Sequence, residues 1–208
     1  MRTILIYSGG LDSTTLLYKL INDGDEVSAL SFDYGQRHKK ELDSARDICN
    51  KLGVAHRVVD ISNMSELMQG SALTSKNIDV PEGHYENISM KQTVVPNRNM
   101  IFISLAIATC VSQKFDRVAL AVHAGDHAIY PDCRPEFIEK IDEVGRVANY
   151  ESIGVYAPFL NISKTEIVKI GRTLAVPYEL TWTCYKGLEE PCKKCGACVE
   201  REEALTEL

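Results

Sequence analysis

The sequence predicts an α/β fold: a mostly parallel sheet flanked by helices, followed by a cysteine-rich C-terminal segment. Three observations carry this. Short apolar runs of strand length alternate with stretches whose apolar residues recur at helical spacing. The first run ends in Ser8-Gly9-Gly10, a tight turn leading directly into such a helical stretch. Parallel strands cannot be joined by a hairpin, and the intervening helices supply the crossovers they need.

Residues 3–7 read as the first strand and residues 13–21 as a helix with Leu16, Leu17, Leu20 and Ile21 on its inner face. Residues 27–32 form a second buried strand. From Lys39 onward, Leu42, Ala45, Ile48, Cys49 and Leu52 repeat at helical spacing up to Gly53, and residues 56–59 make a third strand. Residues 62–95 hold Gly70, Pro81 and Gly83 and show little periodicity, so this long connection is expected to be a functional lid. Asn99 is placed to cap a helix running to about Val111, whose nearly all-apolar sequence predicts burial on most sides. A fourth strand spans residues 117–122, and a helix over 135–147 turns Phe137, Ile138, Ile141 and Val144 inward. Ser163-Lys164-Thr165-Glu166 has the spacing of a capping box and opens a helix to about Leu174. Residues 1–175 thus form one domain, with residues 176–208 a segment packed on it.

Composition narrows the function. The chain has 208 residues with 23 Lys+Arg against 29 Asp+Glu, a net charge of −6, so general attraction to a phosphate backbone is excluded. Basic runs are no longer than Lys39-Lys40 and Lys193-Lys194, and no direct nucleic-acid partner is expected. The longest apolar stretch, residues 100–111, is far shorter than the roughly 20 residues of a membrane span. Four of the seven cysteines crowd into the last 25 residues, which points to metal binding and a cytoplasmic protein, not a disulfide framework.

Between the first strand and first helix, Ser8-Gly9-Gly10-Leu11-Asp12-Ser13-Thr14-Thr15 gathers backbone N–H groups and hydroxyls at the positive end of a helix dipole, a setting for phosphate. Asp12 beside phosphates makes sense as a ligand for Mg²⁺, which takes few protein oxygens alongside phosphate oxygens. The lysine of a Walker loop is missing, and a merely capped glycine turn is the plain alternative. Cys184-x7-Cys192-x2-Cys195-x2-Cys198 supplies four thiolates for a closed, structural Zn²⁺ site, with an iron–sulfur cluster as the chemical rival. Cys49 and Cys110 fall on apolar helical faces as core residues. Cys133 stands beside Arg134, a cation able to depress its pKa. His123 and His127 have the i, i+4 spacing of a metal pair, but Gly125 and Pro131 interrupt a helix there and favour hydrogen bonding in a loop.

Ser8-Gly9-Gly10-Leu11-Asp12-Ser13 resembles the PP-loop of ATP pyrophosphatases, which split ATP between the α and β phosphates and transfer AMP to a substrate oxygen. Phe32-Asp33-Tyr34-Gly35-Gln36-Arg37-His38, Val95-Pro96-Asn97-Arg98-Asn99, Tyr130-Pro131-Asp132-Cys133-Arg134 and the terminal cysteines together resemble the 7-cyano-7-deazaguanine synthase (QueC) family, over nearly the whole chain. Asn97 stands where some members carry Gly; Asn tolerates left-handed backbone.

This resemblance implies an adenine nucleotide alpha hydrolase-like, Rossmann-like fold, ATP with Mg²⁺, Zn²⁺ on Cys184, Cys192, Cys195 and Cys198, and a homodimer. It implies that 7-carboxy-7-deazaguanine is adenylated, that ammonia displaces AMP to give an amide, and that a second ATP activates the amide before a nitrile forms. ATP would be held by Tyr7, Ser8, Gly9, Gly10, Leu11, Asp12, Ser13, Thr14 and Thr15, with adenine against Ser31 and Phe32. Arg37, Lys39, Arg98, Arg134 and Lys164 are the cations available near these segments, and Asp12, Arg98 and Lys164 form the expected catalytic set. Substrate contacts are expected from Arg98, Asp126, His127, Asp132 and Arg134, with Asp126 or Asp132 accepting from the donor edge of a guanine-like base. The alternatives are an enzyme that stops at the amide, a PP-loop enzyme thiolating or ligating a tRNA base, and a non-catalytic nucleotide or zinc module.

Overall fold

Residues of the strands bury on alternate faces of the sheet, and this alternation builds two apolar layers. The computed structural model describes residues 1–207. In β1 (Arg2–Ile6), Ile4 enters one layer and Leu5 the other; in β2 (Glu26–Asp33), Leu30 and Phe32 join Ile4 while Ala29 joins Leu5. With β3 (Ala55–Asp60), β4 (Arg117–Ala119) and β5 (Gly154–Tyr156), the sheet has the order β3-β2-β1-β4-β5 and every pair is parallel.

The Leu5 layer is covered by α1 (Leu11–Asn22), α2 (Lys40–Leu52) and, further along the chain, a helix over Lys164–Thr173, through Leu16, Leu17, Ala45, Ile48, Ile167 and Val168. The Ile4 layer is covered by α3 (Arg98–Gln113) and α4 (Pro135–Val147), through Phe102, Ile103, Ile138 and Ile141. The Lys164–Thr173 helix is α5, and α6 (Gly196–Thr206) packs against it. Ser163 opens α5 with the expected capping box: its hydroxyl accepts from Glu166 N–H at 3.2 Å, and the Glu166 carboxylate accepts from Ser163 N–H at 2.7 Å. No helix among the described residues is long and apolar enough to cross a membrane.

The differences from the sequence reading have local causes. The fifth strand is three residues long, too short to show a period. The residue before α3 is Asn97, not Asn99, and it adopts left-handed backbone at φ 55°. Asn99 sits inside the helix, and its N–H is accepted by Asp132 at 3.0 Å, so a carboxylate from another segment does the capping. One ridge of α3, at Met100, Ser104 and Ala108, is exposed. In α4 it is Gly145 that faces inward while Val144 is exposed, because the carbonyl of Ile153 lies where a Cβ on residue 145 would stand.

The 62–95 segment holds two short 3₁₀ turns, Ser62–Leu67 and Ile88–Thr93, and buries Ala72, Leu73, Val80, Tyr85 and Met90. The Arg37 guanidinium donates to the carbonyl of Ile78 at 2.9 Å, and a bridge between Glu82 and Cys195 ties the segment to the cysteine region.

Gly9 fixes the first turn against α2. Its φ is 77°, and a Cβ there would lie 2.4 Å from the Glu41 carbonyl oxygen and 2.7 Å from Ala45 N, both backbone atoms that cannot swing away. Gly53 has a similar φ of 66° but open space around it. Gly9→Ala is therefore expected to lower stability by more than about 2 kcal/mol, a fall in Tm of roughly 4–8 °C or more, with Gly53→Ala at about half that. Thermal unfolding of the two variants side by side checks this.

Candidate active site

The chain leaves β1 toward β2 on one side and reaches β4 on the other, so the strand order reverses at β1 and a crevice opens at the carboxyl ends of β1 and β4. A cleft of about 210 Å³ lies there. Its walls are the turn at 8–13, Phe32 near the end of β2 and Tyr34 just beyond it, residues 120–123 beyond β4, Arg98 at the start of α3, and Trp182, Thr183 and Tyr185 from the stretch leading to the cysteines.

No side chain caps α1, whose N-cap Gly10 is extended, so the helix offers its first N–H groups to an anion. The Ser8 hydroxyl accepts from Gly10 N–H at 3.2 Å and lies 3.0 Å from the Ser13 hydroxyl, which shapes the turn. Ser8, Gly10, Leu11, Asp12 and Ser13 line the cleft, as does Tyr7. Thr14 and Thr15 are fully buried instead: the Thr14 hydroxyl pairs with Tyr7 at 3.1 Å, and that of Thr15 donates to the Leu11 carbonyl and meets the Tyr178 hydroxyl. Phe32 stacks on Phe102 with ring centroids 4.2 Å apart.

Asp12 projects from the first turn of α1. Its Oδ2 lies 3.3 Å from Lys164 Nζ, while Oδ1 is buried with no hydrogen-bond partner. An orphaned carboxylate oxygen at a helix start fits a hard cation held beside phosphates. Lys164 Nζ also donates to Glu200 Oε2, and the side chain is only 7% exposed. Burial alone would lower the Lys164 pKa, but Asp12, Glu200 and Asp126 outweigh it and hold the ammonium well above its usual range. Glu200 is shifted up by burial, against the pull of Lys164 and His123. His123 caps the 3₁₀ turn Ala124–Ala128 by accepting from Gly125 N–H at 3.1 Å, and its Nε2 lies 3.6 Å from Asp126 and 3.9 Å from Asp12. Asp126 lines the cleft and accepts from the Tyr85 hydroxyl at 3.0 Å.

At the other end, burial works against the charge of Arg98, but Tyr34, Asp132, Tyr185 and Cys133 outweigh it and keep the guanidinium protonated. Asp132, His127 and Arg134 do not line the cleft: Asp132 caps α3, and exposed Arg134 donates from Nε to the His127 carbonyl at 2.9 Å. His127 Nε2 is buried without a partner. Arg37 and Lys39 also face elsewhere, the first onto carbonyls of the 62–95 segment and the second onto Asp33 at 2.7 Å. Cys133 lines the cleft, yet burial and then Asp126 and Asp132 push its thiol up, so the lowering expected from Arg134 does not occur. Cys49 and Cys110 are fully buried, with thiols pushed up to about 12 by burial.

The ligand atoms of Cys184, Cys192, Cys195 and Cys198 all lie within 4.8 Å of one another. Backbone N–H groups point at two of the sulfurs, Cys192 N at Cys184 Sγ (3.4 Å) and Cys195 N at Cys192 Sγ (3.3 Å). Four converging sulfurs can hold a metal ion with no open position. Cys195 is also the N-cap of α6, so the cluster fixes the helix that carries Glu200.

Sequence reasoning missed Glu200, Tyr85, Glu41 and the Trp182-Thr183-Tyr185 wall. Only Glu200 had a local signal, two residues beyond the last cysteine on the helix the cluster opens. Comparison with known proteins gives a consistent placement. The family model described as queuosine biosynthesis protein QueC matches residues 2–208. A protein of Colwellia psychrerythraea named 7-cyano-7-deazaguanine synthase 1 is 55% identical over 206 residues, 99% of this chain and 94% of its own length. The 7-cyano-7-deazaguanine synthase of Alteromonas mediterranea is 57% identical over 202 residues, 97% and 92% of the two chains. Among solved structures, the U34-tRNA thiolase NcsA from Methanococcus maripaludis aligns with a TM-score of 0.53 at 16% identity, covering 98% of this chain and 64% of the thiolase. NMN synthetase from Francisella tularensis aligns at 0.50 and 14%, covering 92% and 70%. These two structures share the fold. Matched over residues 2–208 and more than half identical to relatives over nearly their full extent, this chain belongs to the queuosine biosynthesis protein QueC family.

Proposed function

We propose that this chain converts 7-carboxy-7-deazaguanine and ammonia to 7-cyano-7-deazaguanine with two molecules of ATP. The observation that carries the reading is one cleft in which an uncapped helix start, a carboxylate with an unpartnered oxygen and two cations meet. The substrate carboxylate attacks the α phosphorus of ATP and pyrophosphate leaves; ammonia displaces AMP from the acyl adenylate. The amide oxygen is then adenylated in turn, and loss of AMP leaves the nitrile. The α1 N–H groups and Ser8 and Ser13 hydroxyls bind phosphate, and Lys164 neutralises the pyrophosphate that departs. Arg98 faces the substrate carboxylate. Asp126, on the cleft wall, reads the donor edge of the base, while Asp132, His127 and Arg134 hold the segment behind it. Mg²⁺ held by Asp12 would add charge neutralisation at the phosphates.

The four cysteines hold Zn²⁺ in a closed structural site, a set of thiols that suits a cytoplasmic protein. A homodimer is supported by exposed apolar residues on two neighbouring helices, Met100 on α3 and Val144 and Val147 on α4. Mass spectrometry of the products from ATP, Mg²⁺, ammonium and the acid tests the reaction. Nitrile with two AMP is expected; an amide end product removes the second half of the reading, and absence of AMP overturns it.

Three variants probe the roles. Asp12→Asn keeps the side-chain shape and removes the charge, so AMP and pyrophosphate formation should fall about 100-fold or more in a chain that still folds, with a lower Tm because the buried Lys164 loses one of its two carboxylates. Purified protein should carry about one zinc per chain by elemental analysis, and Cys195→Ser should lose it together with on the order of 10 °C in Tm. Arg98→Ala should lose roughly 10- to 100-fold more kcat/KM with the acid than with the amide as starting compound, because a charge-assisted hydrogen bond is worth about 1.5–3 kcal/mol only where the partner is charged. Equal losses would place Arg98 on the nucleotide or in the fold.

A further inference from the structure

The amination step of the proposed function needs a lone pair on nitrogen, and ammonia in neutral solution is carried as ammonium, which has none. A base in the cleft able to take that proton opens the bulk of the ammonium pool to attack. Most of the titratable groups on its walls are already committed. His123 accepts a backbone N–H on Nδ1, so its own proton sits on Nε2, facing Asp12, Asp126 and Glu200. Asp126 accepts from the Tyr85 hydroxyl and from His123 N–H at 3.2 Å. The phenols of Tyr34, Tyr130 and Tyr185 and the thiol of Cys133 are pushed up by burial and keep their protons. Asp12 is assigned to the cation at the phosphates.

His38 is different. It lines the cleft, is 3% exposed, and has a buried Nδ1 with no hydrogen-bond partner. Its Nε2 lies 3.4 Å from Glu41 Oε2. Glu41 is itself held: its Oε1 accepts from Gln36 Nε2 at 2.9 Å, and Gln36 is locked by the Phe32 carbonyl and Tyr34 N–H. A fixed carboxylate keeps the imidazole proton on Nε2 and leaves the Nδ1 lone pair free, the arrangement of an oriented general base. The ring of Tyr185 stands 5.5 Å from that of His38, and an aromatic face attracts a small cation.

We propose that His38 is the base that deprotonates ammonium, with Glu41 as its positioning residue, at an ammonium site beside the Tyr185 ring. His38 Nδ1 takes one proton from ammonium. The freed nitrogen pair attacks the carbonyl carbon of the acyl adenylate, forming the C–N bond as the C–O bond to AMP breaks. The surplus N–H proton leaves on the departing phosphate, and His38 returns its own proton to solvent.

The test uses whole-chain His38→Gln and Glu41→Gln in three assays: acid-dependent exchange of pyrophosphate into ATP, amide formation from ammonium, and hydroxamate formation from hydroxylamine. Hydroxylamine is already a free base at neutral pH and needs no proton removed, and exchange needs only adenylation. In His38→Gln the ammonium kcat/KM should fall about 100-fold relative to that for hydroxylamine, with exchange retained. In Glu41→Gln the same ratio should fall about tenfold. Equal losses with both nucleophiles, or loss of exchange in a folded His38→Gln, overturn the proposal. If His38→Gln does not fold, the Glu41→Gln ratio decides, an unchanged ratio being fatal. Absence of exchange in the unsubstituted chain would instead sink the underlying function.

Discussion

The buried ammonium of Lys164 is the constraint on which the site depends. It sits at the first position of α5, where the helix dipole disfavours a cation, and burial adds a further penalty. Its charge persists because Asp12 and Glu200 accept it from two sides. Removing one partner of a buried pair typically costs about 3–5 kcal/mol, since the other is left uncompensated. One side chain thereby ties the first turn of α1, the start of α5 and the middle of α6 into a single unit.

That tie makes the cysteine cluster part of the cleft's architecture. Cys195 begins α6, Glu200 follows a little over one turn later, and the neighbouring Arg201 donates to the hydroxyls of Thr181 and Thr183 and to the Tyr178 carbonyl. Thr183 lines the cleft on the same stretch as Trp182 and Tyr185. Trp182 N–H in turn donates to the Gly9 carbonyl at 3.1 Å, closing a loop from the cysteines back to the phosphate turn. The four-cysteine cluster, more than 170 residues from Gly9 in sequence, is thus tied through hydrogen bonds to the turn that contains Gly9. The 62–95 segment joins the same assembly through Glu82 and through Tyr85, whose hydroxyl reaches Asp126.

Local periodicity made most of the fold legible. Strands one to three, the helix from Lys40 and the capping box at Ser163 each show their signal within a dozen residues. The three-residue β5 has no period to detect, and the inward Gly145 is decided by a backbone carbonyl from another segment. The site divides the same way. Ser8 to Ser13, Arg98 and the four cysteines belong to contiguous or closely spaced motifs. Glu200 against Lys164, Tyr85 against Asp126 and Asp132 against Asn99 are partnerships across 33 to 41 residues, created by the fold and silent in sequence. Arg134 shows the converse, since a cation inside a motif-like run turns onto a backbone carbonyl and leaves the cleft.

Charge arithmetic within the cleft bears on what can enter it. Asp12, Glu41 and Asp126 line it against Arg98 and Lys164, and Glu200 stands behind Lys164, so fixed carboxylates outnumber fixed cations. A free nucleotide triphosphate approaching such walls would meet net repulsion, softened only by the α1 N–H groups. The same nucleotide carrying a divalent cation brings the missing positive charge with it, at the orphaned oxygen of Asp12. In the proposed reaction the carboxylates would therefore favour the metal complex of ATP over the bare anion. They also give the double pairing of Lys164 a use in that reaction: were Asp12 drawn to an incoming cation, Glu200 would still hold the ammonium.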